Sequence, residues 1–235
     1  MIFYRFILTT AFALSSFVVN EPSKETVKSI ASNVSKKEDD ITNCYNSLDN
    51  SAFQLPKMES FTKALQGYYQ LADLGKIRNQ FLTIIDYSLP STYKRLWIID
   101  IIENKIIYQS LVAHGKKSGL NYATSFSNES ESNKSSLGFF ITGETYIGKH
   151  GLSLKLDGLE KGINDKARDR AIVMHGAEYV SEDFVKTHNR LGLSQGCPAL
   201  PMNVSSRIIN IIKGKSCLFI YHPTKEYNST SKLVS

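Results

Sequence analysis

The sequence predicts a mainly β domain of mostly antiparallel strands with a few peripheral helices. Six short apolar runs rich in β-branched and aromatic residues are separated by turn-forming residues, which is typical of antiparallel strands. A hydrophobic content of 42% in 235 residues is enough for one sizeable core. Helical periodicity is confined to two stretches, so the helices are expected at the edges of a β fold.

The first 20 residues have the layout of a secretory signal. Arg5 precedes an apolar run from Phe6 to Val19, and the chain turns polar at Asn20. The run is shorter than the about 20 apolar residues that a membrane span needs. A signal peptide is therefore favoured over an uncleaved anchor. We expect an exported protein of the periplasm or cell envelope, which touches a membrane only through this segment if it is uncleaved.

Residues 21–55 predict a flexible polar spacer, because Ser, Asn, Lys, Asp and Glu dominate and large apolar residues are few. Residues 226–235 are predicted to be a polar tail, so the folded domain is expected to occupy residues 56–225. It begins with an amphipathic helix that Ser60 caps and Gly75 ends. The apolar residues at helical spacing are Phe61, Ala64, Leu65, Tyr68, Leu71 and Ala72.

Six strands and one further helix are predicted after this helix. Turn signals at Glu103-Asn104-Lys105, Gly143-Glu144 and Lys213-Gly214-Lys215 separate the strands. The second helix is predicted from about Val204 to Lys213, with Asn203 or Ser205 near its start. The predicted strands lie in "QFLTIIDYS", "RLWIIDII", "KIIYQSLVAHG", "LGFFITGETYIG", "RAIVMHGAEYV" and "KSCLFIYHP".

Charge and cysteine content exclude several function classes. The formal charge of +6 suits work near polyanionic surfaces, yet 21% charged residues without a long basic block give no reason to expect a nucleic-acid partner. Cys44, Cys197 and Cys217 have no zinc-site spacing, so a metal site is not expected. Cys217, in "SCLFIY", is expected to be buried, and a Cys44–Cys217 disulfide stays open as an alternative.

The stretch "SQGCPALP" holds the candidate nucleophile, Cys197. A cysteine needs a nearby base, and His175 stands at the end of a predicted strand in "MHGA". Gly196 would let a substrate carbonyl approach backbone N–H groups that stabilise an oxyanion. On these residues alone two interpretations stay open: a reactive thiol, or a turn beside a packed cysteine.

Several stretches resemble the murein L,D-transpeptidase catalytic domain of the YkuD superfamily, in its variant branch common in Gram-negative bacteria. They occur in order within residues 81–221: "VAHGKKSG", "ATSFSN", residues 135–180 and "LSQGCPALP". The resemblance implies a YkuD-like β-sandwich or partly open barrel. It also implies that residues 56–225 form the catalytic domain.

By the same resemblance, Cys197 is the nucleophile, His175 is its base, and the Gly176 carbonyl orients the imidazole. Gly196 and Cys197 are expected to supply the oxyanion-hole N–H groups. Substrate contacts are expected from Ser194, Gln195, Arg190 and His114. The alternatives are a loop-turn role for Ser194, a solvated Arg190 and a structural His114.

One position departs from the family pattern. Gln195 stands where the common signature of the superfamily has a second histidine. A glutamine can donate a hydrogen bond but cannot shuttle a proton, so the acid–base role is expected to fall to His175 alone.

The implied activity is that of a peptidoglycan L,D-transpeptidase. It would cleave the diamino acid–D-Ala bond of a stem tetrapeptide and transfer the acyl group to an amine, giving a 3→3 crosslink. No cofactor is expected for this reaction, because the bond energy passes through the thioester. A carbapenem-type inhibitor would react at the same thiol. The alternatives are an L,D-carboxypeptidase or endopeptidase acting on the same bond, and a wall-binding protein without catalysis.

Overall fold

The computed structural model describes residues 39–234. The predicted signal peptide and the first part of the predicted spacer lie outside the described residues. The helices in the described range are α1 (Met58–Asp73), α2 (Glu182–His188), α3 (Met202–Ile212) and α4 (Lys225–Thr230), and residues 39–46 are also helical. The strands are β1 (Phe81–Asp86), β2 (Leu96–Asp100), β3 (Lys105–Ser110), β4 (Gly138–Gly148), β5 (Gly151–Gly158), β6 (Val173–Ala177), β7 (Ala199–Pro201) and β8 (Cys217–Tyr221).

The described strands form one eight-stranded mixed sheet in the order β3-β2-β1-β8-β4-β5-β6-β7. Most neighbours are antiparallel, and the parallel pairs are β1 with β8 and β6 with β7. The predicted fold class, mainly β with mostly antiparallel strands and peripheral helices, is therefore confirmed.

The two ends of the sheet meet through the segment that follows β3. The backbone N–H of Ala113 donates to the carbonyl of Ala199 at 2.9 Å, and the reverse bond measures 3.3 Å. Further along, the N–H of Ser194 donates to the carbonyl of His114 at 3.0 Å. These bonds nearly close the sheet into a barrel, and they fix the chain on both sides of Cys197.

The centre of the sheet is buried on both faces. Every residue of β2 and of β8 is buried, and only the first residue of β1 is partly exposed. Such strands read as continuous apolar runs rather than as alternating patterns. α1 packs on β1 and β8, while α3 packs on β5, β6 and β7. Burial of these strands explains why the sequence displays them so clearly.

Some elements differ from the sequence-based prediction. β5, β7, α2 and α4 were not predicted, because each is short or only partly buried. Gly143-Glu144 is not a turn but an irregularity within β4, where the register with β5 shifts between Thr142 and Thr145. Ser60 lies inside α1, and its hydroxyl donates to the carbonyl of Lys57 instead of capping the helix.

The described part of the predicted spacer is packed on the domain. Ile41 and Leu48 belong to the hydrophobic core. The Asp49 carbonyl accepts the Ile106 N–H at 2.9 Å, so this segment covers the edge of β3. Two buried apolar side chains and one backbone hydrogen bond to β3 therefore hold this segment on the domain, although its average composition is polar.

The predicted polar tail is packed as well. Tyr227 on α4 and Ser231 are buried. Both hydroxyls donate to the carboxylate of buried Glu160, with 3.1 Å from Tyr227. The side chain of Glu160 also accepts the Phe139 N–H at 2.7 Å. This one carboxylate therefore anchors the C-terminal helix to the sheet.

Cys44 and Cys217 are free thiols, so the alternative of a disulfide between them is not realised. Cys217 is fully buried in β8, as predicted, and Cys44 donates to the side-chain oxygen of Asn104 at 3.1 Å. Across residues 39–234, no helix is both long and apolar enough to cross a membrane.

Gly67→Ala is expected to destabilise the fold. Gly67 is buried in α1, and an added Cβ would overlap the ring of Phe139 on β4. Overpacking a close helix–sheet contact costs about 1–3 kcal/mol, which exceeds the roughly 1 kcal/mol that alanine gains in helix propensity. Urea unfolding checks this, with Gln66→Ala on the same helix as the control, expected within about 0.5 kcal/mol of the parent. A G67A variant as stable as the parent would contradict the packing described here.

Candidate active site

His175 and Cys197 line one cavity of about 640 Å³. His175 lies on β6 and Cys197 precedes β7, and the parallel pairing of these strands sets His175 opposite Ala199. The same pairing brings Cys197 beside the start of β6, where the Val173 N–H donates to its Sγ at 3.5 Å. The sheet thus places the two residues, which are far apart in sequence, at one opening.

The hydrogen bonds of His175 fix its tautomer. Its Nδ1 lies 2.8 Å from the carbonyl oxygen of Gly176, and because a carbonyl only accepts, Nδ1 carries the hydrogen. Nε2 then has a lone pair that can take a proton. Burial lowers the pKa of His175, the Gly176 bond opposes this, and the nearby His150 and Lys149 lower the pKa further. His175 is therefore held as a neutral imidazole.

Cys197 is half-buried, and its burial raises the pKa of the thiol. The N–H of Val173 and the positive charges of Arg170 and Lys149 act in the opposite direction and favour the thiolate. The thiol donates a weak bond to the carbonyl of Ala171 at 3.8 Å. The resting group is therefore a thiol surrounded by groups that would stabilise its anion.

Ser194 builds the turn that carries Cys197. Its hydroxyl donates to the carbonyl of Cys197 at 2.6 Å and accepts the N–H of Gly196 at 3.1 Å. The hydroxyl of Ser194 therefore stabilises the turn, which was the alternative to a substrate contact. Ser194 also borders the cavity. The predicted oxyanion role of the Gly196 N–H needs correction, because that N–H is already bonded to Ser194.

A second serine ties this turn to its surroundings. The Ser135 hydroxyl accepts the N–H of Gly115 at 3.0 Å and donates to the carbonyl of Gly196 at 3.2 Å. Gly196 has a φ of +123°, and a Cβ there would lie 2.8 Å from the carbonyl oxygen of Lys134. Only glycine fits both this conformation and this close approach of two loops.

Arg170 connects the cavity to the loop at residues 127–136. Its guanidinium donates to the Ser127 and Lys134 carbonyls at 2.8 Å each, and to the Ser136 hydroxyl at 2.6 Å. Arg168, by contrast, pairs with Asp157 and Glu144. Arg170 instead donates to backbone carbonyls and serine hydroxyls, and its charge acts on Cys197.

The hairpin of β4 and β5 forms another wall of the cavity. Tyr146, Lys149 and His150 all line it from this hairpin. His150 stacks on His175, with ring centroids 4.4 Å apart and planes inclined by 21°. Sequence reasoning gave His150 no partner. The sequence did contain a sign of this hairpin, because Gly148 and Gly151 flank a two-residue turn.

Two predicted substrate residues are not among those lining the cavity. His114 is fully buried, its Nδ1 accepts from Arg95 at 2.7 Å, and its Nε2 donates to the Gly119 carbonyl at 3.2 Å. Burial, together with the charge of Arg95, lowers the pKa of His114 to about 3. Arg190 donates to the Leu191 carbonyl at 2.8 Å. The structure therefore shows His114 as a structural residue and does not bring Arg190 to the cavity.

The cavity is lined by more positive than negative side chains. Lys149 and Arg170 face it together with one carboxylate, that of Glu131. The exposed Gln195 and the half-buried Tyr179 add an amide and a phenol group to its lining. Within residues 39–234 no group of three or more His, Cys, Asp or Glu side chains could hold a metal ion.

The family comparison assigns most of the chain. Residues 54–221 match YkuD_2, described as the L,D-transpeptidase catalytic domain. This confirms the resemblance noted in the sequence, and the match begins earlier than residue 81, before α1. A comparison with curated proteins finds no match.

Solved structures that resemble this chain include three with low sequence identity. The L,D-transpeptidase from Mycobacterium smegmatis is 9% identical, with a TM-score of 0.39 over 61% of this chain and 59% of that one. The helical cell shape determining protein Pgp2 from Campylobacter jejuni is 16% identical, with a TM-score of 0.40 over 73% and 61%. The L,D-transpeptidase (Yku) from Stackebrandtia nassauensis is 13% identical, with a TM-score of 0.36 over 70% and 67%. This chain thus spans less than two thirds of the first two.

Gly196→Ala is expected to disrupt the turn that carries Cys197. The positive φ alone costs about 1–2 kcal/mol for an L-residue, and the clash with the Lys134 carbonyl adds about 1–3 kcal/mol. Gly214→Ala is the matched control, because Gly214 also has a positive φ but open space around its Cα. Urea unfolding should show a larger loss for G196A than for G214A. Equal losses would mean that the contact with Lys134 is unimportant.

Proposed function

Because this chain belongs to the L,D-transpeptidase catalytic domain family, we propose that it is a peptidoglycan L,D-transpeptidase with Cys197 as nucleophile and His175 as general base. Its substrate is the stem tetrapeptide, and the bond cleaved joins the diamino acid at position three to the terminal D-Ala. The acyl group passes to an amine of a neighbouring stem, which gives a 3→3 crosslink.

One observation carries this proposal. The thiol of Cys197 and a histidine with an unprotonated Nε2 border the same cavity. A nucleophile, a base within one pocket and a third group that orients the base together make up the usual arrangement for covalent acyl transfer. Here the third group is the Gly176 carbonyl.

The first step is proton transfer from Cys197 to His175. The thiol hydrogen, which points to the Ala171 carbonyl at rest, rotates about the Cβ–Sγ bond and passes to Nε2 of His175. The thiolate keeps the N–H bond from Val173 and the field of Arg170. These contacts favour the anion at the moment it attacks.

The thiolate then adds to the carbonyl carbon of the diamino acid. Within the described part of the chain the Cys197 N–H has no internal acceptor, so it is the backbone donor for the developing oxyanion. The side-chain amide of Gln195, at the exposed rim, is a second donor. As the C–N bond breaks, the imidazolium of His175 gives its proton to the leaving D-Ala amine.

A thioester at Cys197 remains, and an amine releases it. His175, neutral again, takes a proton from the acceptor amine as this attacks the thioester carbonyl. The C–S bond breaks, the new amide forms the crosslink, and the thiol is regenerated. Water in place of the amine gives L,D-carboxypeptidase activity through the same residues.

The charge of the cavity fits an anionic peptide. The departing D-Ala carries the C-terminal carboxylate of the stem, and Lys149 and Arg170 border the cavity. A peptidoglycan substrate also requires an exported protein, and the predicted signal at residues 1–20 provides for this. We place the enzyme in the periplasm or cell envelope.

Cys197→Ala is expected to abolish both turnover and covalent labelling. Purified protein is incubated with a defined tetrapeptide muropeptide, and products are identified by mass spectrometry. Crosslinked dimers support transfer, and tripeptides support hydrolysis. A carbapenem should add one adduct to the parent and to the Cys44→Ala control, but none to C197A. Folded parent protein that gives neither product nor adduct would overturn the proposal in favour of a wall-binding protein.

The pH profile of kcat/KM should show an acid limb set by His175. The neutral imidazole is the base, so activity is retained above its pKa and falls as the pH drops through it. Because burial lowers this pKa from its ordinary value of 6.5, activity should persist below pH 6.5. His175→Gln should lose about 10²–10⁴-fold in rate and also lose the acid limb. An acid limb that survives in H175Q would assign the base to another residue.

A further inference from the structure

The cavity contains two imidazoles, and the second comes from a surface hairpin. His150 stands in the two-residue turn between Gly148 and Gly151, which join β4 to β5. Its side chain is exposed, whereas His175 is buried. The two rings overlap with a centroid distance of 4.4 Å and an inclination of 21°. One exposed ring therefore covers the face of the buried one.

We propose that His150 is a positioning residue for His175, and that its stacked ring fixes the His175 imidazole for proton transfer from Cys197 and shields it from water. This inference rests on the proposed function, in which His175 is the general base. It gives the hairpin turn a role in the reaction. Gln195, which stands in the cysteine loop where the superfamily signature has a second histidine, cannot supply an imidazole ring for this role.

The argument begins with the freedom of the His175 ring. Its bond from Nδ1 to the Gly176 carbonyl fixes one ring atom but still allows the plane to rock about that bond. A parallel ring at 4.4 Å blocks this motion, because rocking would drive one ring into the other. The bond and the stack together hold Nε2 in one direction. Proton transfer depends steeply on such alignment.

The second step concerns charge around His175. Lys149 and His150 face it from the hairpin, Arg170 from the segment before β6, Cys197 from its turn, and Tyr179 from the segment after β6. Glu131 supplies the carboxylate among the residues that line the cavity. A positive charge on His150 lowers the pKa of His175 and so opposes formation of the imidazolium. Its stacked ring also contributes to the burial that favours the neutral base.

The roles of the two histidines are thus different. His175 has a fixed tautomer and exchanges protons with the reacting groups. His150 reaches the reaction only through the His175 ring. An aromatic ring without a titratable nitrogen should therefore replace it in large part.

The test follows the His175 imidazole directly by NMR titration of histidine-labelled protein, with His175 assigned from the H175Q variant. In His150→Ala the pKa of His175 should rise toward its ordinary value, because burial and a neighbouring positive charge are both removed. In His150→Phe the rise should be smaller, since the stack remains. The control is His188→Ala, because His188 is also an exposed, stacked histidine, 4.0 Å from the Phe184 ring on α2. It should leave the titration of His175 unchanged.

Activity provides the second readout. We expect His150→Ala to lower kcat/KM by about tenfold, mostly through kcat, and to move the acid limb to higher pH together with the pKa of His175. His150→Phe should stay within about threefold of the parent. Equal losses in H150A and H150F, or a His175 titration that is the same in H150A as in the parent, would overturn the proposal.

The two hypotheses fail in different ways. If the parent releases no D-Ala and acquires no adduct at Cys197, the proposed function fails, whatever the titrations show. If the parent is active and the titration of His175 does not respond to position 150, only the role of His150 fails. Thermal unfolding of each variant excludes a general loss of folding.

Discussion

The bonds that close the sheet are the constraint on which the site depends. Ala113 pairs with Ala199, and His114 with Ser194, so the turn that holds Cys197 is fixed at both ends by one segment. That segment is held from inside by Arg95, which is fully buried and donates to the Val112 carbonyl at 3.0 and 3.2 Å. Burial lowers the pKa of Arg95 to about 10, so it stays charged at neutral pH. A buried charge is tolerated only when its hydrogens are bonded, and those bonds are what fix the segment.

Short hydroxyl side chains complete this framework without filling the cavity. Ser194 and Ser135 each accept one backbone N–H and donate to one carbonyl, so each joins two points of the chain with a single oxygen. The hydroxyl of Ser118 accepts the N–H of Ser135 at 2.9 Å and extends the network to a third loop. The many serines of these loops are therefore structural as well as polar.

The sequence predicts the fold better than it predicts the walls of the site. Buried strands such as β2 and β8 stand out because both faces are apolar, and the Cys197 and His175 motifs stand out by resemblance. His150 could not be assigned, because the ring on which it stacks belongs to another strand. His114 was expected near the substrate because it follows an apolar run. The run is apolar because it is buried, and His114 is buried with it, beside Arg95. Residue type and local pattern do not show which side of the sheet a loop covers.

The electrostatics of the site favour a neutral resting pair. Burial raises the pKa of Cys197 and lowers that of His175, so both changes oppose an imidazolium–thiolate pair before substrate binds. The groups that favour the thiolate, the Val173 N–H and Arg170, act strongly only once the proton has left sulfur. In the proposed mechanism the resting thiol is therefore weakly nucleophilic until His175 has taken its proton. In the proposed mechanism, Gln195 cannot accept a proton, so the neutral His175 is the group that makes the thiol reactive, and contacts to its ring would act on the rate through it.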